Sequence, residues 1–149
     1  MTTNDVWNRL VHIDSEIQGL FSDTGFCYDD SFSFVPCPND RESRFLNSSM
    51  EGASRFLQKF HEQMDYLRMP AQEPHTLHRT EFKRYGYQDG DGSLSEFHCG
   101  QTLEALVPDY DGSLKWVLTR VEHNGSDYYL VGYSSTPMEG LTVRRRRRP

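Results

Sequence analysis

Residues 114–133 read LKWVLTRVEHNGSDYYLVGY, two β-rich runs that meet at Asn124-Gly125. An Asn-Gly pair between such runs favours a two-residue type I′ turn, and this turn fixes how the flanking strands pair. In that register Trp116 faces Tyr133 across the hairpin. Apolar side chains then lie on both faces of the hairpin. We therefore expect helices to cover one face, and a loop, a partner subunit or the curvature of the sheet to cover the other.

The β-rich pattern begins well before this hairpin. Short runs of Val, Tyr, Phe and Leu are separated by Asp-Gly turn signals at residues 89–92 and 111–112. This spacing predicts an antiparallel meander. The predicted strands span residues 75–87, 94–107, 114–123 and 128–134.

A helix is predicted near the start of the chain. Apolar residues recur with a period near 3.6 over residues 6–21, which is typical of a helix with one buried face. Asn4 or Asp5 is the expected N-cap, because a short polar side chain can accept the first free backbone N–H groups. Gly25 is expected to end the segment in a left-handed conformation.

A second helix is predicted from a capping-box pattern. Ser48 is followed three residues later by Glu51, and apolar residues then form one face over residues 53–67. Between the helices, Phe32–Val35 alternates like a short strand. Pro36 follows it directly and restricts it to the edge of a sheet.

Helices followed by strands define an α+β fold. A chain of 149 residues has the usual size of one domain. We therefore predict a single domain over residues 1–143, with N-terminal helices packed on a curved, cone-like antiparallel β-sheet. Residues 144–149 are predicted to form a basic C-terminal tail.

Charge is distributed unevenly along the chain. The formal net charge is −6, but Arg144–Arg148 contribute five positive charges, so the remaining residues carry −11. An acidic surface repels phosphate backbones, which limits any nucleic-acid binding to the arginine run. The run itself fits three roles: a nuclear-localisation or nucleic-acid arm, a solvated end, or a last strand whose arginines pair with the acidic body.

Composition argues against several classes of protein. No stretch approaches the roughly 18 apolar residues of a membrane span, and residues 1–5 lack the features of a signal peptide. Cys27, Cys37 and Cys99 are widely separated, so neither a disulfide framework nor a zinc site is predicted. We expect a cytoplasmic protein with no metal, no cofactor and no membrane contact. The arginine run leaves a nuclear location open.

The order of elements over residues 5–135 resembles the nuclear-transport-factor-2-like (SnoaL-like) family, in which helices cover a curved antiparallel sheet around a pocket. Leu20-Phe21-Ser22-Asp23 is similar to the family's opening helix, and residues 50–57 are similar to the start of a later helix. Residues 36–47 depart from the family's pattern, and the arginine run has no counterpart in it.

The resemblance implies acid/base chemistry on a small molecule, because some members of the family are dehydratases, isomerases or hydrolases. Asp14, His75 and His98 fall in places comparable to the catalytic residues of such members. An imidazole can take and return a proton near neutral pH while a carboxylate orients it. In an unbroken strand, however, His98 points away from the apolar face, and only a bulge near Gly100 would turn it inward.

Other interpretations belong to different classes of function. Residues 99–149 also resemble a Tudor-type small barrel, which binds methylated lysine or arginine in an aromatic cage. That resemblance implies a cage of Tyr110, Trp116 and Tyr133. Two non-catalytic alternatives are a homodimer formed through the sheet face and an acidic protein that binds a basic protein partner.

Overall fold

The computed structural model describes residues 1–148, in which the chain forms two compact units. The first, Met1–Arg68, contains the helices, and the second begins at Met69 and contains antiparallel sheets. The predicted α+β class, with helices first and antiparallel strands after them, is confirmed. The sequence predicts one domain over residues 1–143, whereas the structure divides the chain after Arg68.

The first unit is a helical hairpin. α1 (Thr3–Thr24) packs against α3 (Arg41–Arg68), and a short α2 (Phe26–Asp29) lies between them in the sequence. None of the helices in residues 1–148 combines the length and the apolar character needed to cross a lipid bilayer. The core of this unit contains Ile17, Phe21 and Phe26, with Phe32, Leu57 and Phe60 packed around them.

Both ends of α1 are fixed by local contacts. The Thr2 hydroxyl accepts a hydrogen bond from the backbone N of Asp5, and the Asp5 carboxylate accepts one from the backbone N of Thr2. This capping box makes Thr2 the N-cap, in place of the predicted Asn4 or Asp5. Gly25 ends the helix with φ 81°, and a Cβ at this position would lie 2.5 Å from the Ser33 hydroxyl, so the site requires glycine.

The start of α3 differs from the sequence prediction. The helix begins at Arg41, where the Asp40 carboxylate accepts hydrogen bonds from the backbone N and the hydroxyl of Ser43, both 2.8 Å long. These bonds lower the pKa of Asp40, because they favour its charged form. The predicted cap at Ser48 therefore lies inside the helix.

Two substitutions test whether α3 starts at Arg41, after Asp40, or at the predicted cap Ser48. Asp40→Ala is expected to lower the melting temperature by about 3 °C, since it removes the acceptor for the first turn of α3. Ser48→Ala is expected to leave it unchanged or raise it slightly, because alanine is the better residue inside a helix. Thermal unfolding followed by circular dichroism tests both. A larger loss for Ser48→Ala than for Asp40→Ala would contradict the observed helix start.

The predicted edge strand at Phe32–Val35 is wrong. These residues form a turn, in which the backbone N of Val35 donates to the Phe32 carbonyl at 3.0 Å. The Glu51 carboxylate accepts a hydrogen bond from the backbone N of Phe32 at 2.8 Å. The Glu51 side chain therefore links the turn to α3 and does not form the predicted capping box with Ser48.

The described part of the second unit contains eight strands in two antiparallel sheets. One sheet has the order β1-β8-β5-β6-β7, and the other has the order β2-β3-β4. The predicted strands at 75–87 and 94–107 are each interrupted by turns. The strands are β1 (His75–Thr76), β2 (His78–Arg79), β3 (Tyr85–Gln88), β4 (Leu94–Glu96), β5 (Thr102–Pro108), β6 (Leu114–His123), β7 (Tyr128–Leu130) and β8 (Thr142–Arg144).

The β6–β7 hairpin has a longer turn than predicted. His123 pairs with Tyr128, so a four-residue loop replaces the expected two-residue turn. The Asn124 side chain accepts hydrogen bonds from the backbone N of Ser126 and of Asp127, which stabilises that loop. β7 ends at Leu130, so the predicted pairing of Trp116 with Tyr133 does not form.

Alternation along β5 and β6 separates an inner face from an outer one. The inner residues join a core that contains Leu77, Phe97, Leu103, Ala105, Val107, Val121, Leu130 and Val143. On the outer face, Trp116 is paired with Leu106, and Leu118 is paired with Glu104. The inner face of the hairpin is thus buried in the core, and the outer face carries a buried acid among half-buried and exposed apolar side chains.

The arginine run begins inside the sheet. β8 includes Arg144, which pairs with Glu104 of β5, and Arg146 forms a further bridge with Ala71. The predicted tail boundary between residues 143 and 144 therefore falls within a strand. The side chains of Arg144 and Arg146 are only 21% exposed, as expected for a packed segment.

Candidate functional site

A fully buried carboxylate joins the two long helices of the first unit. Asp14 of α1 is 0% exposed. Its Oδ1 lies 2.9 Å from His61 Nδ1, while its Oδ2 accepts hydrogen bonds from Arg68 Nη1 at 2.6 Å and Gln18 Nε2 at 3.1 Å. Because Asp14 is a carboxylate, His61 Nδ1 is the donor in this contact. Both oxygens of Asp14 are therefore engaged within the hairpin.

Two opposing effects act on the pKa of Asp14. Burial raises the pKa of the carboxyl, but the hydrogen bonds from His61 and Arg68 outweigh burial and lower the pKa below its ordinary value. Asp14 is thus held as an anion at neutral pH. An anion with both oxygens engaged suits orientation of a neighbouring group better than proton transfer.

The two predicted histidines belong to the second unit. His75 is half-buried in β1, and its ring stacks on Tyr87 with the centroids 4.1 Å apart. His98 is exposed in the turn between β4 and β5, where its backbone N donates to the Gln101 side chain at 2.8 Å. Within the described residues, no group of three or more histidine, cysteine or carboxylate side chains is placed to hold a metal ion.

The three rings of the predicted aromatic cage have three different environments. Tyr110 is fully exposed in the loop between β5 and β6. Trp116 lies under the chain's own Arg144, whose guanidinium carbon is 4.2 Å from the ring centroid. Tyr133 packs against the core of the second unit. The cation–π contact at Trp116 is therefore made within the chain.

The outer face of the larger sheet contains a second buried carboxylate. Glu104 is 6% exposed, and it accepts hydrogen bonds from Arg144 Nη2 at 3.1 Å and Arg146 Nε at 2.8 Å. Arg146 also donates to the Met69 carbonyl at 3.2 Å. Burial raises the pKa of Glu104, but the hydrogen bonds from Arg146 and Arg144 outweigh burial and lower it. This cluster of Glu104, Arg144 and Arg146 is called the arginine clasp below.

The two sides of the helical hairpin differ in polarity. One side has a groove of about 400 Å³, called the apolar groove below, which is lined mainly by Leu20, Phe32, Val35, Met50, Ala53 and Leu57. The other side has a pocket of about 310 Å³, called the polar pocket below, which is lined by Gln18, Phe21, Ser22, Cys27, Gln58, His61 and Glu62. A surface with one apolar side is typical of a helical unit that associates.

The apolar groove continues into an exposed stripe on α1. Val6, Ile13 and Leu20 are 43%, 49% and 43% exposed and lie seven residues apart, so they share one side of the helix. On α3, Leu46 and Met50 are 54% and 44% exposed. These side chains supply apolar area that the described structure leaves in contact with solvent.

His61 and Arg68, the partners of Asp14, were not identified from the sequence. They lie seven residues apart, which places them on one side of α3. The sequence contains one indication that such partners exist: Asp14 is a charged residue within the apolar stripe, between Ile13 and Ile17. A carboxylate in that position needs a charged or hydrogen-bonding partner, but the sequence does not say which residue supplies it.

Comparison with known proteins identifies the second unit only as similar to an uncharacterised domain. Residues 76–145 match the family model of DUF5348, a domain of unknown function. The matched segment contains β2 to β8 and, of the arginine clasp, Glu104 and Arg144. No curated protein and no solved structure shows significant similarity to the chain.

Proposed function

We propose that the chain is a non-catalytic assembly protein whose helical unit pairs with a second copy of itself through the apolar groove. The observation that carries this proposal is the difference between the two sides of the hairpin, one almost wholly apolar and exposed, the other a mixture of polar and apolar groups. Two hairpins that join by their apolar sides make a four-helix bundle. Such bundles bury apolar stripes of this seven-residue spacing.

A second copy suits the small core of this unit. The buried cluster consists of Ile17, Phe21 and Phe26, which is little for a segment of 68 residues. Small helical units commonly gain stability by association, because it buries apolar area that one copy cannot cover. Self-association would cover Val6, Ile13 and Leu20, which one copy leaves exposed.

The available area matches the lower range of specific dimers. A helix of 22 residues is about 33 Å long, and two helices side by side are about 18 Å wide. The side of one hairpin is then about 600 Å², and two copies bury about 1,200 Å² in total. We therefore expect a dimer of micromolar affinity rather than an obligate one.

The other hypotheses have weaker support from this geometry. In the acid/base hypothesis, Asp14 would act on substrate, but its oxygens are engaged by His61, Arg68 and Gln18. In the sheet-face dimer, the buried surface would be the outer face of β5, β6 and β8, which carries the charged arginine clasp. The apolar groove of the helical hairpin therefore offers a partner a more apolar surface than the outer face of the sheet does.

Size-exclusion chromatography with light scattering tests the proposal on the full chain. At about 100 μM the protein is expected to elute with twice the monomer mass. Leu20→Lys, which places a charge in the groove, is expected to give a monomer. Phe56→Lys is the matched control, because Phe56 is 74% exposed on α3 and does not line the groove. The Phe56→Lys variant should remain a dimer.

Circular dichroism of both variants should show unchanged helix content, which separates loss of association from loss of folding. The proposal fails if the unmodified protein is a monomer at this concentration. It also fails if folded Leu20→Lys remains a dimer.

A further inference from the structure

We propose that the polar pocket of the helical unit is a reactive-thiol site, in which Asp14 and His61 activate Cys27 toward small uncharged carbon electrophiles. Cys27 and His61 both line this pocket of about 310 Å³. The proposal uses residues that self-association through the opposite side of the hairpin leaves open. It therefore stands independently of the proposed dimer.

Asp14 fixes the proton arrangement of His61. The Asp14 carboxylate can only accept, so the proton of the neutral His61 ring lies on Nδ1, 2.9 Å from Asp14 Oδ1. Nε2 is then the basic nitrogen of the ring. The His61 side chain is 31% exposed, so the ring is held by a fully buried acid and still accessible from the pocket. A carboxylate that accepts from Nδ1 in this way fixes the tautomer and the orientation of the ring.

Backbone geometry brings the thiol to the same side of the hairpin. Gly25, in a left-handed conformation, separates α1 from α2 and allows the chain to turn sharply before Cys27. Cys27 is exposed, and it shares the pocket with the hydroxyl of Ser22 and the carboxylate of Glu62. Glu62 is a charged residue of the pocket lining, and Asp14 and Arg68 are paired with each other.

The reaction requires only the thiol, the histidine and the electrophile. His61 Nε2 takes the proton from Cys27 Sγ, and the thiolate attacks carbon. With iodoacetamide, the Sγ–C bond forms as the C–I bond breaks, iodide leaves, and His61 returns its proton to water. The negative charge of Glu62 favours an uncharged reagent over iodoacetate.

The other two cysteines provide internal controls in the same molecule. Cys37 Sγ donates to the carbonyls of Pro38 and Ser43 at 3.5 and 3.6 Å, and it does not line the polar pocket. Cys99 is exposed in the turn before β5. The alkylation rate of each cysteine is measured by mass spectrometry of peptides after timed exposure of the full protein to iodoacetamide at pH 7.

Cys27 is expected to react about fivefold faster than Cys37 and Cys99. His61→Asn should remove this advantage and leave the other two rates unchanged, because asparagine can still donate to Asp14 but has no basic nitrogen. Equal rates for the three cysteines in the unmodified protein would overturn the proposal. An unchanged or increased rate at Cys27 in His61→Asn would do the same, since it would show that exposure alone controls the reaction.

Discussion

Glu104→Gln is expected to lower the free energy of unfolding by about 3 kcal/mol. The substitution keeps the shape of the side chain but removes the charge that Arg144 and Arg146 share. Each of these arginine side chains is only 21% exposed, so water compensates poorly for the missing carboxylate. Urea denaturation followed by circular dichroism measures the change.

Glu122→Gln is the matched control for this prediction. Glu122 lies on β6 and pairs with Arg120 at 3.1 Å, but the Arg120 side chain is 55% exposed. An exposed pair contributes little, because water already solvates both charges. A loss in Glu104→Gln no greater than that in Glu122→Gln would show that the arginine clasp does not stabilise the second unit.

The stabilisation by Glu104 also depends on pH. Its pKa is lowered in the folded protein by Arg146 and Arg144 despite burial, so the unfolded chain binds the proton more readily. The contribution is therefore present above the unfolded pKa of about 4.3 and is lost as the pH falls through the lower folded value. The difference in stability between the wild-type protein and Glu104→Gln should shrink below about pH 4.

Asp14→Asn is expected to cost about 2 kcal/mol in the same experiment. The amide retains one acceptor for His61, but its NH₂ group cannot accept the bond that Arg68 donates at 2.6 Å. Arg68 is 32% exposed and can be partly solvated, so the expected cost is smaller than for Glu104. Glu16→Gln, at an exposed position on α1, is the control and should change stability little.

The effect of Asp14→Asn should also diminish in acid. Hydrogen bonds from His61 and Arg68 outweigh burial and lower the pKa of Asp14, so its stabilising effect is lost as the pH falls through the folded pKa. If the cost of the substitution were the same at pH 3 as at pH 7, the charge of Asp14 would not be the source of its stabilising effect.

The sequence predicts the order and the type of the elements better than their ends. Periodicity located α1 and α3 because a helix with one buried face repeats its apolar residues. The N-caps were missed, since several short polar residues near each start could accept the same backbone N–H groups. Thr2 and Asp40 are selected by hydrogen bonds to Asp5 and Ser43 that only the folded backbone makes available.

The hairpin prediction was correct for β6, but it extended the second strand beyond Leu130 and was wrong in its turn. Asn124 is the first residue of the loop in both cases, but its side chain accepts from Ser126 and Asp127 and so extends the loop to four residues. This shifts the pairing by two residues, and strand side chains alternate with period two. The inner side chains of β6 therefore stay on one face despite the change in register.

The candidate sites depend on contacts that sequence spacing does not show. Glu104 and Arg144 are 40 residues apart, and Asp14 and Arg68 are 54 residues apart. Residues 144–149 were predicted to form a basic tail, with a paired last strand as one of three open roles for the arginine run, and no partner for that strand could be named. A single acid on the outer face of β5 becomes the partner only when β8 lies beside that strand.

The position of β8 has a consequence for protein synthesis. It lies between β1 and β5 in the sheet, although it follows β5 by more than thirty residues in the chain. At ordinary rates of translation, those residues take about 2–7 seconds to add. Throughout that interval the nascent β5 has an open edge, with backbone groups that can pair with another chain. The second unit thus passes through an aggregation-prone stage whose duration is set by the ribosome.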